Sequence, residues 1–153
     1  GGIGCTPMLS ILGSLSAPGG GSLRATFIWS VRELALVEHC MPMLLRAVAA
    51  GHSVVVHYTA KEGVDEALQS IRSAGAEAPR SQGGGGIEAV AGRPAFAECL
   101  QQLGDDGGKS GPKEGPVGVL ACGPQQMVDA VKVACIEAEG ARHYDFHSEV
   151  FEW

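Results

Sequence analysis

Gly1-Gly2-Ile3-Gly4-Cys5-Thr6-Pro7 stands directly before the apolar positions Met8, Leu9, Ile11, Leu12 and Leu15, which have helical spacing. Three glycines in four residues let the backbone take positive φ and leave no side chain above the peptide planes. Thr6 can cap the helix, and Pro7 suits its first position, where a missing N–H costs nothing. A glycine turn opening into a helix N-terminus presents free N–H groups and a positive dipole end, which together suit a phosphate. The same glycines also make an ordinary turn, so the run gains weight only from its surroundings. A strand should lead into such a turn, yet the chain begins at the turn itself. The run therefore reads as the start of a domain cut from a longer protein, with its first strand missing.

Outward from this turn, strands and helices alternate. Leu23–Ser30 reads as a strand whose Ala25, Phe27, Ile28 and Trp29 are dense enough for burial on both faces. Val31-Arg32-Glu33 leads into a helix through Leu34, Leu36, Val37 and Cys40. Pro42 should kink or restart that helix, which runs to Ala50 and stops at Gly51. Ser53–Tyr58 is the most β-like run, and Val64–Ala74 reads as an amphipathic helix. A loop insertion at residues 79–86 contains the flexible glycine linker Gln82–Gly86. Ile87–Ala91 is a strand, Pro94–Leu103 a helix, and residues 104–115 a second glycine-rich loop. Val117–Ala121 is a strand that Cys122-Gly123-Pro124 turns into the helix Gln125–Ala138, ended by Gly140. His143–Phe151 closes the chain as a strand. This alternation predicts one α/β domain over residues 1–153, a doubly wound parallel sheet with helices on both faces. Ligands of such sheets bind beyond the carboxyl ends of the strands. Gly1–Pro7, Trp29–Glu33 and Cys122–Pro124 would all lie on that edge, which raises the phosphate reading above a plain turn.

Composition removes other classes. The hydrophobic share of 45% among 153 residues supports a folded core. A net charge of −6 argues against a broad nucleic-acid surface. The five cysteines, Cys5, Cys40, Cys99, Cys122 and Cys135, are odd in number and lack C-x-x-C spacing. They indicate neither a disulfide framework nor a zinc site, and suit a reducing compartment. His39, His52, His57, His143 and His147 show no metal-ligand spacing, and no Ser-His-Asp arrangement can be argued. No run approaches the ~20 apolar residues that span a bilayer. Gly-Gly-Lys-Ser at residues 107–110 is not a phosphate loop, because Leu103 stands where the motif needs its first glycine.

Gly-Ile-Gly-Cys-Thr-Pro, Trp-Ser-Val-Arg, Gly-Arg-Pro, Leu-Ala-Cys-Gly-Pro and the closing Phe-His-Ser-Glu-Val-Phe-Glu-Trp occur in the order seen in the ferric reductase and NADPH oxidase family. From Gly1 to Trp153 the chain resembles that family's C-terminal NAD(P)H-binding domain, part of the ferredoxin–NADP reductase superfamily. The Phe-His-Ser ending with a terminal Trp is most similar to plant and algal ferric-chelate reductases. The two glycine-rich insertions and the missing first strand depart from the pattern.

The resemblance implies a set of roles. Gly1, Gly2, Ile3, Gly4, Cys5, Thr6 and Pro7 would hold the pyrophosphate of the dinucleotide. Trp29 and Arg32 stand where a ribose 2′-substituent would lie, and an Arg there can pair with a 2′-phosphate and favour NADPH over NADH. The neighbouring Glu33 suits a free 2′-hydroxyl instead, or simply a helix dipole. Arg93 could reach the adenosine end or be a solvated loop residue. Cys122, Gly123 and Pro124 would sit beside the nicotinamide; a small buried thiol ending a strand is the plain alternative for Cys122. Phe151 matches the family's terminal aromatic over the flavin, and Trp153 belongs to the iron-reductase branch, although either ring could be packing. Cys122 and Phe151 are thus the candidate catalytic residues.

The function so implied is hydride transfer from NADPH to FAD on a neighbouring domain. Electrons would then pass through haem in a membrane domain to ferric chelates or to oxygen. Flavin and haem domains of the same polypeptide would be the partners, with this domain on the cytosolic side, and the chain alone would be inactive as a reductase. Two rivals stand beside this reading: a non-catalytic nucleotide-binding or protein-interaction module, and a doubly wound domain for another phosphate ligand.

Overall fold

The structure is a computed structural model that describes residues 5–17, 23–76, 85–105, 116–138 and 143–150. It divides into two compact units, Gly1–Arg93 and Pro94–Trp153.

The first unit runs α1 (Thr6–Leu15), β1 (Thr26–Val31), α2 (Leu34–Ala49), β2 (Ser53–Tyr58), α3 (Val64–Ala76) and β3 (Ile87–Ala91). Its strands form one sheet in the order β1-β2-β3, both pairings being parallel. Phe27, Trp29 and Val31 stand opposite Val54, Val56 and Tyr58, and residues in register share a face. All six are buried. They form one core with Leu9 and Leu12 of α1, Val37 and Leu44 of α2, and Leu68 and Ile71 of α3. The expectation that β1 is buried on both faces is corrected: Thr26 is exposed, and Ile28 and Ser30 are only half-buried. Leu23, at 70% exposure, lies before the strand.

Pro42 does not interrupt α2, which runs 16 residues through it. Pro42 and Glu38 are both exposed, so water can take the Glu38 carbonyl that the missing N–H leaves unpaired. The helix stops where its glycine predicts. Gly51 has φ +93; its N–H donates to Val48 O at 2.9 Å and that of His52 to Ala47 O at 3.0 Å, a Schellman stop.

Residues 77–84, most of the first glycine-rich insertion, lie outside the described residues. Its last two glycines are held in place. Gly86 O accepts a hydrogen bond from Val54 N at 2.9 Å, and a Cβ on Gly85 would run into the His52 carbonyl oxygen. Gly85→Ala is therefore expected to destabilise the fold by about 1–3 kcal/mol, the usual cost of overpacking, seen as a lower melting temperature. Unchanged melting would mean that the backbone there yields.

His57 is 6% exposed on β2. Burial holds its pKa below the ordinary 6.5, against smaller upward pulls from a Gly92 backbone hydrogen bond and from Glu88. The unfolded chain therefore binds this proton more readily than the folded one. The stability is fully present above pH 6.5 and is lost as pH falls below it, with a slope of at most about 1.4 kcal/mol per pH unit. Denaturant titrations across this range should show the slope, and His57→Gln should flatten it.

The second unit runs α4 (Phe96–Asp105), β4 (Val117–Gly123), α5 (Gln125–Ala138) and β5 (Tyr144–Val150). β4 and β5 are parallel, from Val117 opposite Tyr144 to Gly123 opposite Val150. Ala121 packs with Leu100 of α4 and with Val128, Val131, Ala134 and Cys135 of α5. Two boundaries differ from expectation. Gly104 and Asp105 are helical rather than loop, and residues 106–115 lie outside the described residues. Cys122 and Gly123 continue β4 rather than turning, because both are still paired with β5. Every strand pairing among the described residues is parallel, as the alternating pattern requires of an α/β fold.

Candidate functional site

In the first unit the three strands end level. Thr59 N donates to Val31 O at 2.8 Å and Gly92 N to Tyr58 O at 2.9 Å, so the residue after each of β2 and β3 still belongs to the ladder. The Thr59 hydroxyl also donates to Val31 O, at 3.1 Å. Gly92 has φ +86, a backbone state that favours glycine, and through it the chain leaves the sheet at Arg93. Arg32 after β1, Lys61 after β2 and Arg93 after β3 are all exposed, and follow the carboxyl ends of adjacent parallel strands. Among the described residues, Arg32 and Arg93 have no ion-pair partner. Glu33 forms the N-cap of α2 in an extended conformation, φ −107 and ψ 113, where a carboxylate favours the helix dipole.

Trp29 does not line this edge. It is 2% exposed, with its ring 6.2 Å from that of Phe27. Its side chain anchors the end of β1 inside the core.

At the start of α1, Gly1, Gly2, Ile3 and Gly4 lie outside the described residues. The cap falls one residue earlier than the sequence suggests. Cys5 is the N-cap, already in a right-handed helical conformation (φ −73, ψ −16), so Thr6 is the first helical residue and Pro7 follows within the first turn. Pro7 still costs no hydrogen bond, because the first four N–H groups of a helix have no partner within it. The Cys5 side chain makes no cap hydrogen bond.

In the second unit Cys122 is 7% exposed and stands opposite Glu149. Burial pushes its thiol pKa up, and Glu149 adds to the rise. A neutral thiol of this kind suits packing and orientation rather than nucleophilic attack. Gly123 is the last residue of β4, and Pro124 O accepts the first bonds of α5, from Met127 N at 2.9 Å and Val128 N at 3.1 Å. Phe151 and Trp153 lie outside the described residues. Among the described residues no three His, Cys, Asp or Glu side chains come together as a metal site, and no helix is long and apolar enough to cross a membrane.

Sequence reasoning missed Lys61 and Thr59 at the first unit's strand ends. Their only signal was their place just after Ser53–Tyr58.

Parallel strands with exposed arginines beyond their carboxyl ends, in an α/β fold, define a nucleotide-binding class of domain. The family described as ferric reductase NAD binding domain matches residues 1–136, and the chain belongs to that family. It is thus a nicotinamide-dinucleotide-binding domain of an oxidoreductase. The match includes Arg32, Arg93 and Cys122–Pro124. A search of curated proteins returned no match.

Proposed function

We propose that the chain binds NADPH in preference to NADH and presents its nicotinamide for hydride transfer to FAD on a neighbouring domain. One observation carries the preference for NADPH: Arg32 and Arg93, exposed and without ion-pair partners among the described residues, follow strand ends of one parallel sheet. A guanidinium fork fits a phosphate by paired, charge-assisted hydrogen bonds, so these residues suit a 2′-phosphorylated ribose. In this reading Arg32 holds that phosphate and Arg93 the adenosine end. The turn from Gly1 to Pro7 holds the pyrophosphate, and Cys122, Gly123 and Pro124 pack beside the nicotinamide and orient it. The bound dinucleotide supplies the hydride, and the protein supplies binding and orientation.

The resemblance set out above extends the reading. Phe151 would cover the flavin face. Haem in a membrane domain of the same polypeptide would carry single electrons to ferric chelates or to oxygen, with this domain on the cytosolic side. Calorimetric titration of the chain with NADPH and with NADH tests the core of it. NADPH should bind at least tenfold more tightly, about 1.4 kcal/mol; equal affinities would overturn the preference.

A further inference from the structure

We propose that Thr59 is a positioning residue for the 2′-phosphate: by bonding twice to the Val31 carbonyl, it fixes the backbone from which Arg32 reaches the ligand. The inference rests on the dinucleotide reading above, in which Arg32 holds that phosphate. Thr59 follows β2, yet two of its donors serve the end of β1. Its N–H donates to Val31 O at 2.8 Å, and its hydroxyl donates to the same oxygen at 3.1 Å. The ladder of a parallel sheet accounts for the first bond. It does not require the second, which comes from a side chain that a strand end would accept equally well as valine.

The consequence falls on the next residue. A peptide unit is planar, so the Val31 carbonyl and the Arg32 nitrogen and Cα move as one body. A single hydrogen bond lets that plane swing about the bond. A second donor, arriving from a different direction, removes the swing. Val31 is itself 2% exposed, so the plane starts from a residue packed in the core. Beyond Arg32, Glu33 caps α2 in an extended conformation, and its carbonyl accepts from Leu36 N at 3.2 Å. Arg32 is thus one residue of bend held at both ends, with its guanidinium left to find a ligand by side-chain rotation. Such preorganisation lowers the ordering cost of binding. It matters most for a planar fork, whose paired hydrogen bonds to phosphate demand direction as well as charge. NADH, which lacks the 2′-phosphate, gains nothing from it.

The test compares Thr59→Val, which keeps the branched shape and removes the hydroxyl, with Thr59→Ser, which keeps the hydroxyl. Calorimetry should show NADPH binding weakened about three- to tenfold by the valine, the size of one net hydrogen bond. NADH binding should be unchanged, and the serine variant should bind NADPH as the wild type does. Adenosine 2′,5′-bisphosphate, which carries the phosphate without the nicotinamide, should lose affinity by the same factor as NADPH. Amide relaxation measured by NMR without ligand should show Arg32 more mobile in the valine variant and not in the serine one. Thr59→Ala replaces the valine variant if that one does not fold.

Equal losses for NADPH and NADH, or a lower melting temperature with the cofactor ratio intact, would make Thr59 ordinary structure and overturn the proposal. Unchanged Arg32 relaxation in the valine variant would overturn it as well. The wild-type titration separates this inference from the reading beneath it. A wild-type chain without preference for NADPH removes the role of Arg32 and that of Thr59 together. A preference that is present and survives Thr59→Val removes only the role of Thr59.

Discussion

Replacing Trp29 by alanine is expected to cost about 3–5 kcal/mol of stability, the range for deleting a buried aromatic. Trp29 is among the largest fully buried side chains of the described residues and stands opposite Val56 on the neighbouring strand. Little around it can collapse into the gap, because β2 is fixed by pairing on both sides. Urea denaturation should show a lower midpoint with an unchanged slope if only stability is affected. Trp29→Phe separates packing from polarity. The indole Nε1 has no hydrogen-bond partner among the described residues, and a buried donor left unpaired costs about 1–3 kcal/mol. Phenylalanine keeps much of the ring and removes that donor, so its cost should stay below about 1.5 kcal/mol. A phenylalanine variant as unstable as the alanine one would show that the N–H has a partner.

Arg32→Ala is expected to weaken NADPH binding by roughly ten- to a hundredfold, the equivalent of about 1.5–3 kcal/mol for a lost hydrogen bond to a charged group. NADH lacks the 2′-phosphate, so its affinity should hardly change. Because Arg32 is exposed, the gap between the two cofactors should shrink as salt screens the charge. Arg32→Lys keeps the charge without the planar fork and should fall between wild type and alanine. Calorimetry on both dinucleotides measures all of this. Equal losses for NADPH and NADH would show that Arg32 does not read the phosphate.

The helices and strands were legible because each carries its own period. Val54, Val55 and Val56 mark β2, and Val64–Ala74 falls inside α3. What misled was local chemistry whose meaning depends on surroundings. Pro42 stays inside α2, where both it and Glu38 are exposed and water can reach the backbone it leaves unpaired. Cys122-Gly123 looks like a turn by composition, but pairing with Glu149 and Val150 makes it strand. Trp29 stands near a strand end, and only the register shows that its side chain faces the core. Arg32 and Arg93 could be placed at strand ends from sequence, since a parallel sheet sends every carboxyl end to one side.

The β1-β2-β3 order also bears on how the first unit assembles. Each strand pairs with its immediate successor in the sequence, so every closure spans one helix and its two connections. Loop-closure entropy grows slowly with length, and these closures are of similar size: Thr26 meets Ser53, and Val54 meets Ile87. No strand has to await a partner from a remote part of the chain. The sheet can grow one crossover at a time, each new strand docking on an edge already laid down.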